Sequence, residues 1–523
     1  MGSIVKNKVG KHTYIYESES FRDENGKPQT RKTSIGKIDS LTGQPVYRPE
    51  YLERVLGTAS QPEISDSQMF SVAEIKASCI LESGVFKLLS GVAEQIGLNA
   101  VVKEVFPDLW EQILSLAFYV VATGEPDMYC EDWILKNESY DCGSMSSQRI
   151  SELLIKITNE ERMGFFGKWG NYRNEHEFFA LDITSVSSYS ELINDVEWGY
   201  NRDKEKLPQI NICMLLGEES KLPVFQLVYS GSLGDVSTLK TTLQTASHLN
   251  LKNMSIVMDK GFCSTKNINE MCKKESCVRF LIAMPFTHNF ARQQVESEKK
   301  DIDTVDNTIS IGTDVIRGVT KTRSWKPETK LFAHVFLNVE KAQRVRNRLY
   351  GHVSSLRDKA MDNPEKFMNV KEFDKYLIIR KSKEAGYTVN IRYDVLESEL
   401  KTSGWLVCVS NHVQTAKEAI NIYRTKDVVE KGFSRLKNCL NLARLRVHSD
   451  NAMQNKIFIG FIALVLTAHI HKIMTEHDLY SSMTMKKLIK SLESLRVQYI
   501  KGNPISFPVS NSQKAVFDAF SIL

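Results

Sequence analysis

The chain has 523 residues, 42% hydrophobic and 25% charged, with a formal net charge of +5 and a pI near 8.5. That balance is ordinary for a globular protein of about three domains, and its mild basicity permits nucleic acid as a partner without requiring it. Nine scattered cysteines with no CxxC pair argue against a zinc site, and the longest apolar run, residues 457–468, falls short of the roughly 20 residues that a membrane span needs.

Residues 1–60 read as a small β-rich unit. "KHTYIYESES" alternates apolar and polar residues, "DENGKP" is a hairpin-type turn, and "QTRKTSIGKI" is the returning strand. Lys27, Arg31, Lys32 and Lys37 make its second half basic, which suits a solvated face as well as a DNA contact. With no apolar signal core in this segment, no span and free thiols, the chain is expected in the cytoplasm, away from membranes.

Residues 61–175 form a helical region, one possible site of DNA binding. "VFKLLSGVAEQIGLNAVVKEVF" and "DLWEQILSLAFYVVAT" have helical periodicity, and "SSQRISELLIKITNEERMGFFGKWG" opens on cap-type serines and closes on glycine.

From residue 176 the pattern changes to strands. "HEFFALDITSVSSYS", "INICMLLGEE" and "LPVFQLVYSGS" are three strands in succession. The helix "DVSTLKTTLQTASHL", the strand "SIVMDKGF", the helix "STKNINEMCKK" and the strand "VRFLIAMP" follow. Three meandering strands followed by alternating units imply an α/β fold with one mixed sheet flanked by helices over residues 176–285. Residues 286–410 interrupt it as a β-rich insertion that also holds the basic helical segment "KAQRVRNRLYGHVSSLRDKAM". The core resumes over 411–475, where residues 457–468 read as a buried helix. The tail, 476–523, holds one amphipathic helix.

Two strands end on an aspartate: Asp182 after "FFAL" and Asp259 after "SIVM". Sites collect at the carboxyl ends of strands in open α/β layers, although aspartate is also a common turn residue. A third acid, Glu430, lies in "IYRTKDVVEKGFSRLKN". On one continuous helix, Tyr423, Lys426, Glu430 and Lys437 would fall within a stripe roughly 60° wide. Such a stripe suits a solvated salt-bridge ladder, or a site face where the glutamate holds a metal and the cations hold phosphate. Three converging carboxylates repel one another and become tolerable around divalent cations, for which Mg²⁺ and its oxygen ligands are the natural choice.

These residues resemble the DDE transposases of bacterial insertion sequences, in the class marked Y-x2-R-x3-E-x6-K. The motif here reads Tyr423, Lys426, Glu430, Lys437, with lysine in place of arginine at 426. "LDITS" matches the strand-borne first acid of that family, "MDKGF" the second, and "LPVFQLVYSGSLGDVSTL" the segment between them. The resemblance reaches from about residue 70 to 470. It implies an RNase H-like core and a catalytic, two-metal site of Asp182, Asp259 and Glu430. The cofactor implied is two Mg²⁺ ions, with Mn²⁺ as a substitute. The implied reaction is nicking at the terminal inverted repeats of the element, then attack of the freed 3′-hydroxyl on target DNA. Double-stranded DNA would be the partner, a homodimer the DNA-bound state, and the nucleoid of a bacterial cytoplasm the location. Tyr423, Lys426 and Lys437 would contact phosphates. A nuclease of the same fold that cuts without joining, or a transposase-derived DNA-binding protein without catalysis, are the alternative functions.

Nearby residues add less. Trp405, on "GWLVCVSN", would stack a flipped base or pack in the insertion's sheet. Arg444, Arg446 and His448 would touch DNA or cap the preceding helix. His469 and His471 do not share a helix face and suit no metal site, and Cys263 reads as a packed thiol.

Overall fold

A computed structural model describes residues 3–522, apart from 10–11, 23–26, 39–44, 49–50, 52–70, 77, 174–177, 250–253, 274–277, 383–385, 441 and 443. It divides into two compact units: residues 1–95, 131–140 and 470–523 in the first, and 96–130 with 141–469 in the second.

In the first unit, β1 (Ser3–Val9), β2 (His12–Arg22), β3 (Pro28–Ile38) and β4 (Pro45–Tyr47) form an antiparallel sheet in chain order. The expected strands β2 and β3 pair along their whole length, while most of the turn between them lies outside the described residues. A second sheet joins β5 (Cys79–Glu82) to Arg496–Ile500, which pairs in turn with Asn503–Ser506.

The second unit is built on a nine-stranded mixed sheet. Its first five strands are β6 (Phe178–Ser187), β7 (Gln209–Gly217), β8 (Pro223–Ser230), β9 (Ser255–Met258) and β10 (Arg279–Ala283). β6, β7 and β8 form an antiparallel meander, and β9 and β10 join on the other side of β6, both parallel to it. The order 8-7-6-9-10 is that of an RNase H-like core. β7 is buried along its entire length, as a central strand covered on both faces must be.

The insertion does not stand apart from this sheet. Its strands β11 (Thr308–Ile311), β12 (Asp314–Lys326), β13 (Thr329–Leu337) and β16 (Trp405–Ser410) extend the far edge, with β16 antiparallel to β10. Between β13 and β16, the hairpin β14 (Leu377–Ser382) and β15 (Gly386–Ile391) and a 24-residue helix over Val339–Asp362 enclose a small core of their own, including Val353, Leu356, Phe373 and Leu377.

Helices cover the sheet. The expected helical stretch over residues 146–170 is two helices, Ser147–Lys156 and α1 (Asn159–Arg173), because Thr158 and Glu161 cap each other's backbone amides and start a new helix. On α1, Phe165 and Phe166 pack edge-to-face against Phe458 and Phe461, and Trp169 donates to the Pro223 carbonyl at 2.9 Å. Phe458 and Phe461 belong to Asp450–Glu476, a 27-residue helix that contains the apolar run. It is long and apolar enough to cross a membrane by length and composition, and 78% of its most apolar stretch is buried inside the protein, as in a core helix. Three further helices frame the site: α2 (Asp235–His248), α3 (Ala416–Thr425) and α4 (Asp427–Asn438).

Candidate active site

Strand register brings the first two acids together. Leu181 of β6 is level with Met258 of the parallel β9, so Asp182 and Asp259 follow at neighbouring positions on adjacent strands. Asp259 ends β9, whereas Asp182 does not close its strand as expected, because β6 stays paired to β7 as far as Ser187. Burial pushes the Asp182 carboxyl up to about 6. The Ile183 amide at 2.8 Å, Arg202 and Lys426 oppose that rise, and Asp259 adds to it. Asp259 turns the chain out of the strand, its Oδ1 accepting from the Lys260 amide at 2.7 Å and from the Tyr423 hydroxyl at 3.0 Å. Burial, then the neighbouring Cys408 thiol and Asp259, push the Tyr423 phenol well above its ordinary value.

The expected single helix through residues 423–437 is broken. α3 ends at Thr425, α4 begins at Asp427, and Lys426 is the joint. The Thr425 hydroxyl competes for the Ile422 carbonyl at 2.6 Å, and the Val429 amide bonds only three residues back, to Lys426. The break separates the roles of the four polar residues. α3 packs against β9 and β10 and carries Tyr423 to Asp259, whereas α4 lies across β6 and β7. Gly432 allows that approach, since a Cβ there would meet the Leu216 side chain at 2.9 Å.

At the joint, the Lys426 side chain is only 15% exposed, and its Nζ lies 2.8 Å from Glu430 Oε1 and 3.9 Å from Asp259 Oδ2. Burial pulls this ammonium down, but the Glu430 hydrogen bond and the fields of Asp259, Glu430 and Asp182 outweigh it, so it sits above the usual lysine value. Glu430 and Asp259 thus flank one ammonium, and Asp182 acts on it only through its field. Among the described residues no three His, Cys, Asp or Glu side chains are already arranged as a metal cage. The donor chemistry nonetheless fits a hard divalent ion: carboxylate oxygens only, one of them buried, with a cation already drawn between them.

The acids open into a cleft of about 700 Å³ lined by Asp182, Glu430, Arg202, Glu205, Lys437 and Arg444. Each cation in it is already engaged. Lys437 Nζ meets Asp203 at 2.6 Å, Arg444 meets Glu205 at 2.7 Å, and Arg202 pairs with Asp235 at the start of α2. Asp203 and Glu205 come from the segment between β6 and β7, residues 188–208, in which sequence pattern singles out nothing. The charge run "NRDKEK" is the one mark that points there.

The remaining sequence candidates are spread more widely. Trp405 begins β16 opposite Leu337; because β16 runs antiparallel to β10, this end lies at the same sheet edge as the acids, yet Trp405 does not line the cleft. Arg444 and Arg446 diverge around the buried Leu445. Arg444 forms a bridge with Ser187, while Arg446, with a left-handed φ of 52°, lines a separate apolar cavity of about 260 Å³ with Leu116, Val120 and Ile459. Burial raises the Cys263 thiol to about 11, which suits a packed side chain and not a nucleophile.

Among solved structures, the piggyBac transposase synaptic complex with hairpin DNA, determined by cryo-EM, is similar at 10% identity and a TM-score of 0.34, over 78% of this chain and 76% of that one. No curated protein matches the sequence. The family model for the transposase DDE domain matches residues 173–466, more than half of the chain and a span that includes Asp182, Asp259 and Glu430. The chain belongs to the transposases that carry this DDE domain.

Proposed function

We propose that this transposase nicks DNA at the terminal inverted repeats of its own bacterial insertion sequence and joins the freed 3′ ends to target DNA, with Asp182, Asp259 and Glu430 as the catalytic carboxylates. The observation that supports the reading is that Asp182 and Asp259 follow paired positions of adjacent strands, that Asp259 and Glu430 flank the Lys426 ammonium, and that Asp182 and Glu430 line a cleft with basic residues. The three carboxylates would hold divalent ions, Mg²⁺ or Mn²⁺, which when bound activate the attacking water or 3′-hydroxyl and stabilise the leaving oxygen.

The chain's own residues supply the rest. Tyr423 donates to Asp259 Oδ1 and fixes the rotation of that carboxylate, leaving Oδ2 for the cation. Lys426, at the position of the family's arginine, gives up the carboxylates and turns to the scissile phosphate. It does so as a single point charge, without the two-pronged fork of a guanidinium. Lys437 and Arg444 release Asp203 and Glu205 and grip the flanking phosphates. Two copies of the chain would hold the two ends of the element.

The test is a supercoiled plasmid carrying the element's terminal repeats, incubated with the protein and Mg²⁺. Nicks at the repeat ends followed by joined products are expected. Asp182→Asn and Glu430→Gln should abolish cleavage and keep end binding, and full cleavage by either variant would overturn the site. Cutting without joining would make the protein a nuclease.

A further inference from the structure

The segment between β6 and β7 carries four large apolar side chains that face solvent: Tyr189 is 74% exposed, Leu192 71%, Trp198 67% and Tyr200 82%. The backbone beneath them is fixed. Glu197 and Gln209 exchange both backbone hydrogen bonds, at 3.0 and 2.9 Å, and the Gln209 side-chain amide donates to the Tyr200 carbonyl at 2.9 Å. Gly199 lies so close to Gly231 that an added Cβ would sit 2.0 Å from its carbonyl oxygen. Asn201 is buried; its Oδ1 accepts from the amides of Asp203 and Glu205 at 2.9 and 3.3 Å, and its amide donates to Ser187 Oγ at 3.1 Å. Trp198 and Tyr200 therefore stand in water on a pinned chain, where little ordering remains to oppose binding.

What such a rim would bind is set by what it adjoins. Past Tyr200 the same segment supplies Arg202, Asp203 and Glu205 to the cleft that holds Asp182 and Glu430. Arg444, which pairs with Glu205, also lies 6.0 Å from the Tyr189 ring centroid. The aromatic rim is thus continuous along the chain with the cleft lining, and Tyr189 touches it through Arg444. In a duplex both faces of each base are covered by its neighbours, whereas an unpaired base offers a free π-face to an exposed ring. We propose that Trp198 and Tyr200 are a stacking platform for unpaired bases of the DNA strand next to the phosphate in the cleft, so that the enzyme holds a locally opened DNA end. This rests on DNA as the substrate of the cleft, and it assigns the platform to the β6–β7 segment, apart from Trp405.

The test uses the full chain without divalent metal, titrated with labelled oligo(dT) and, separately, with a blunt duplex of random sequence. Binding is read by anisotropy and by quenching of tryptophan emission. Replacing both residues, Trp198→Ala with Tyr200→Ala, should weaken oligo(dT) binding by about tenfold or more and leave duplex binding within about twofold, while Trp198→Phe with Tyr200→Phe should restore most of it. Oligo(dT) affinity unchanged in the alanine variant overturns the platform. So does an equal loss on duplex, or a loss of self-association in sedimentation with binding intact. Wild-type nicking at terminal repeats, measured alongside, separates the two claims: nicking with no effect of the alanine pair sinks only the platform, and no nicking sinks the reading of the cleft.

Discussion

Lys426 Nζ stands 2.8 Å from Glu430 Oε1, on the side chain whose other near carboxylate is Asp259. A residue that would contact phosphate in a transposition complex is, in the free chain, the counter-ion of the acids. The same holds in the cleft, where Lys437 and Arg444 are engaged by Asp203 and Glu205. DNA and metal would therefore enter by exchange, replacing internal ion pairs instead of filling empty charge.

Replacing the ammonium while keeping the stem isolates its role. Lys426→Met should lower the stability of the metal-free chain by about 1 kcal/mol, since Glu430 is largely exposed and solvent screens most of its share. The variant should gain more in melting temperature from millimolar Mg²⁺ than the wild type, because no ammonium competes for the carboxylates. Equal Mg²⁺ responses by differential scanning fluorimetry would remove Lys426 from the cation position.

The loop acids make a second prediction. Asp203→Asn with Glu205→Gln frees Lys437 and Arg444, so duplex affinity should rise about tenfold at low salt and the gain should shrink as salt is raised. Fluorescence anisotropy over a salt series measures both. An unchanged affinity would mean that these acids do not compete with phosphate.

Lys437→Ala should weaken binding to all duplex sequences alike and reduce the salt slope by about 1, as loss of one phosphate contact does. The same titration on the variant decides it, and a wild-type slope would take Lys437 out of the DNA path.

Acid should destabilise the fold through His334. This side chain is fully buried in β13, its Nδ1 is 2.8 Å from Thr320 Oγ1, and burial lowers its pKa to about 4. The folded chain refuses a proton that the unfolded chain accepts near pH 6.5. Stability is therefore unaffected above that pH, falls as pH drops from 6.5 towards 4, and loses up to about 3 kcal/mol. Urea unfolding across that range should show the slope, and His334→Gln should flatten it.

Much of the architecture follows from local pattern. β9 is a short apolar run closed by an aspartate, β6 opens on an apolar run before Asp182 and continues to Ser187, β7 is largely apolar, and α2 lies between strands where its periodicity places it. Because side chains repeat every two residues in a strand and every 3.6 in a helix, burial alone makes these elements readable, although not that β6 runs on past Asp182. The break at Lys426 escapes this reading, since both halves keep a helical period and the joint residue keeps helical dihedrals.

What the sequence by itself determined is therefore the kind of each element and the order of the acids along the chain. Only the tertiary structure decided which charges meet. Tyr423 reaches Asp259 across 164 residues, and Lys437 reaches Asp203 across 234. The segment of residues 188–208 takes its place at the cleft from Gln209 and Gly231, with no periodicity of its own. Coulomb energy depends on distance through space and on burial, and neither is written in local spacing until the sheet has set its register.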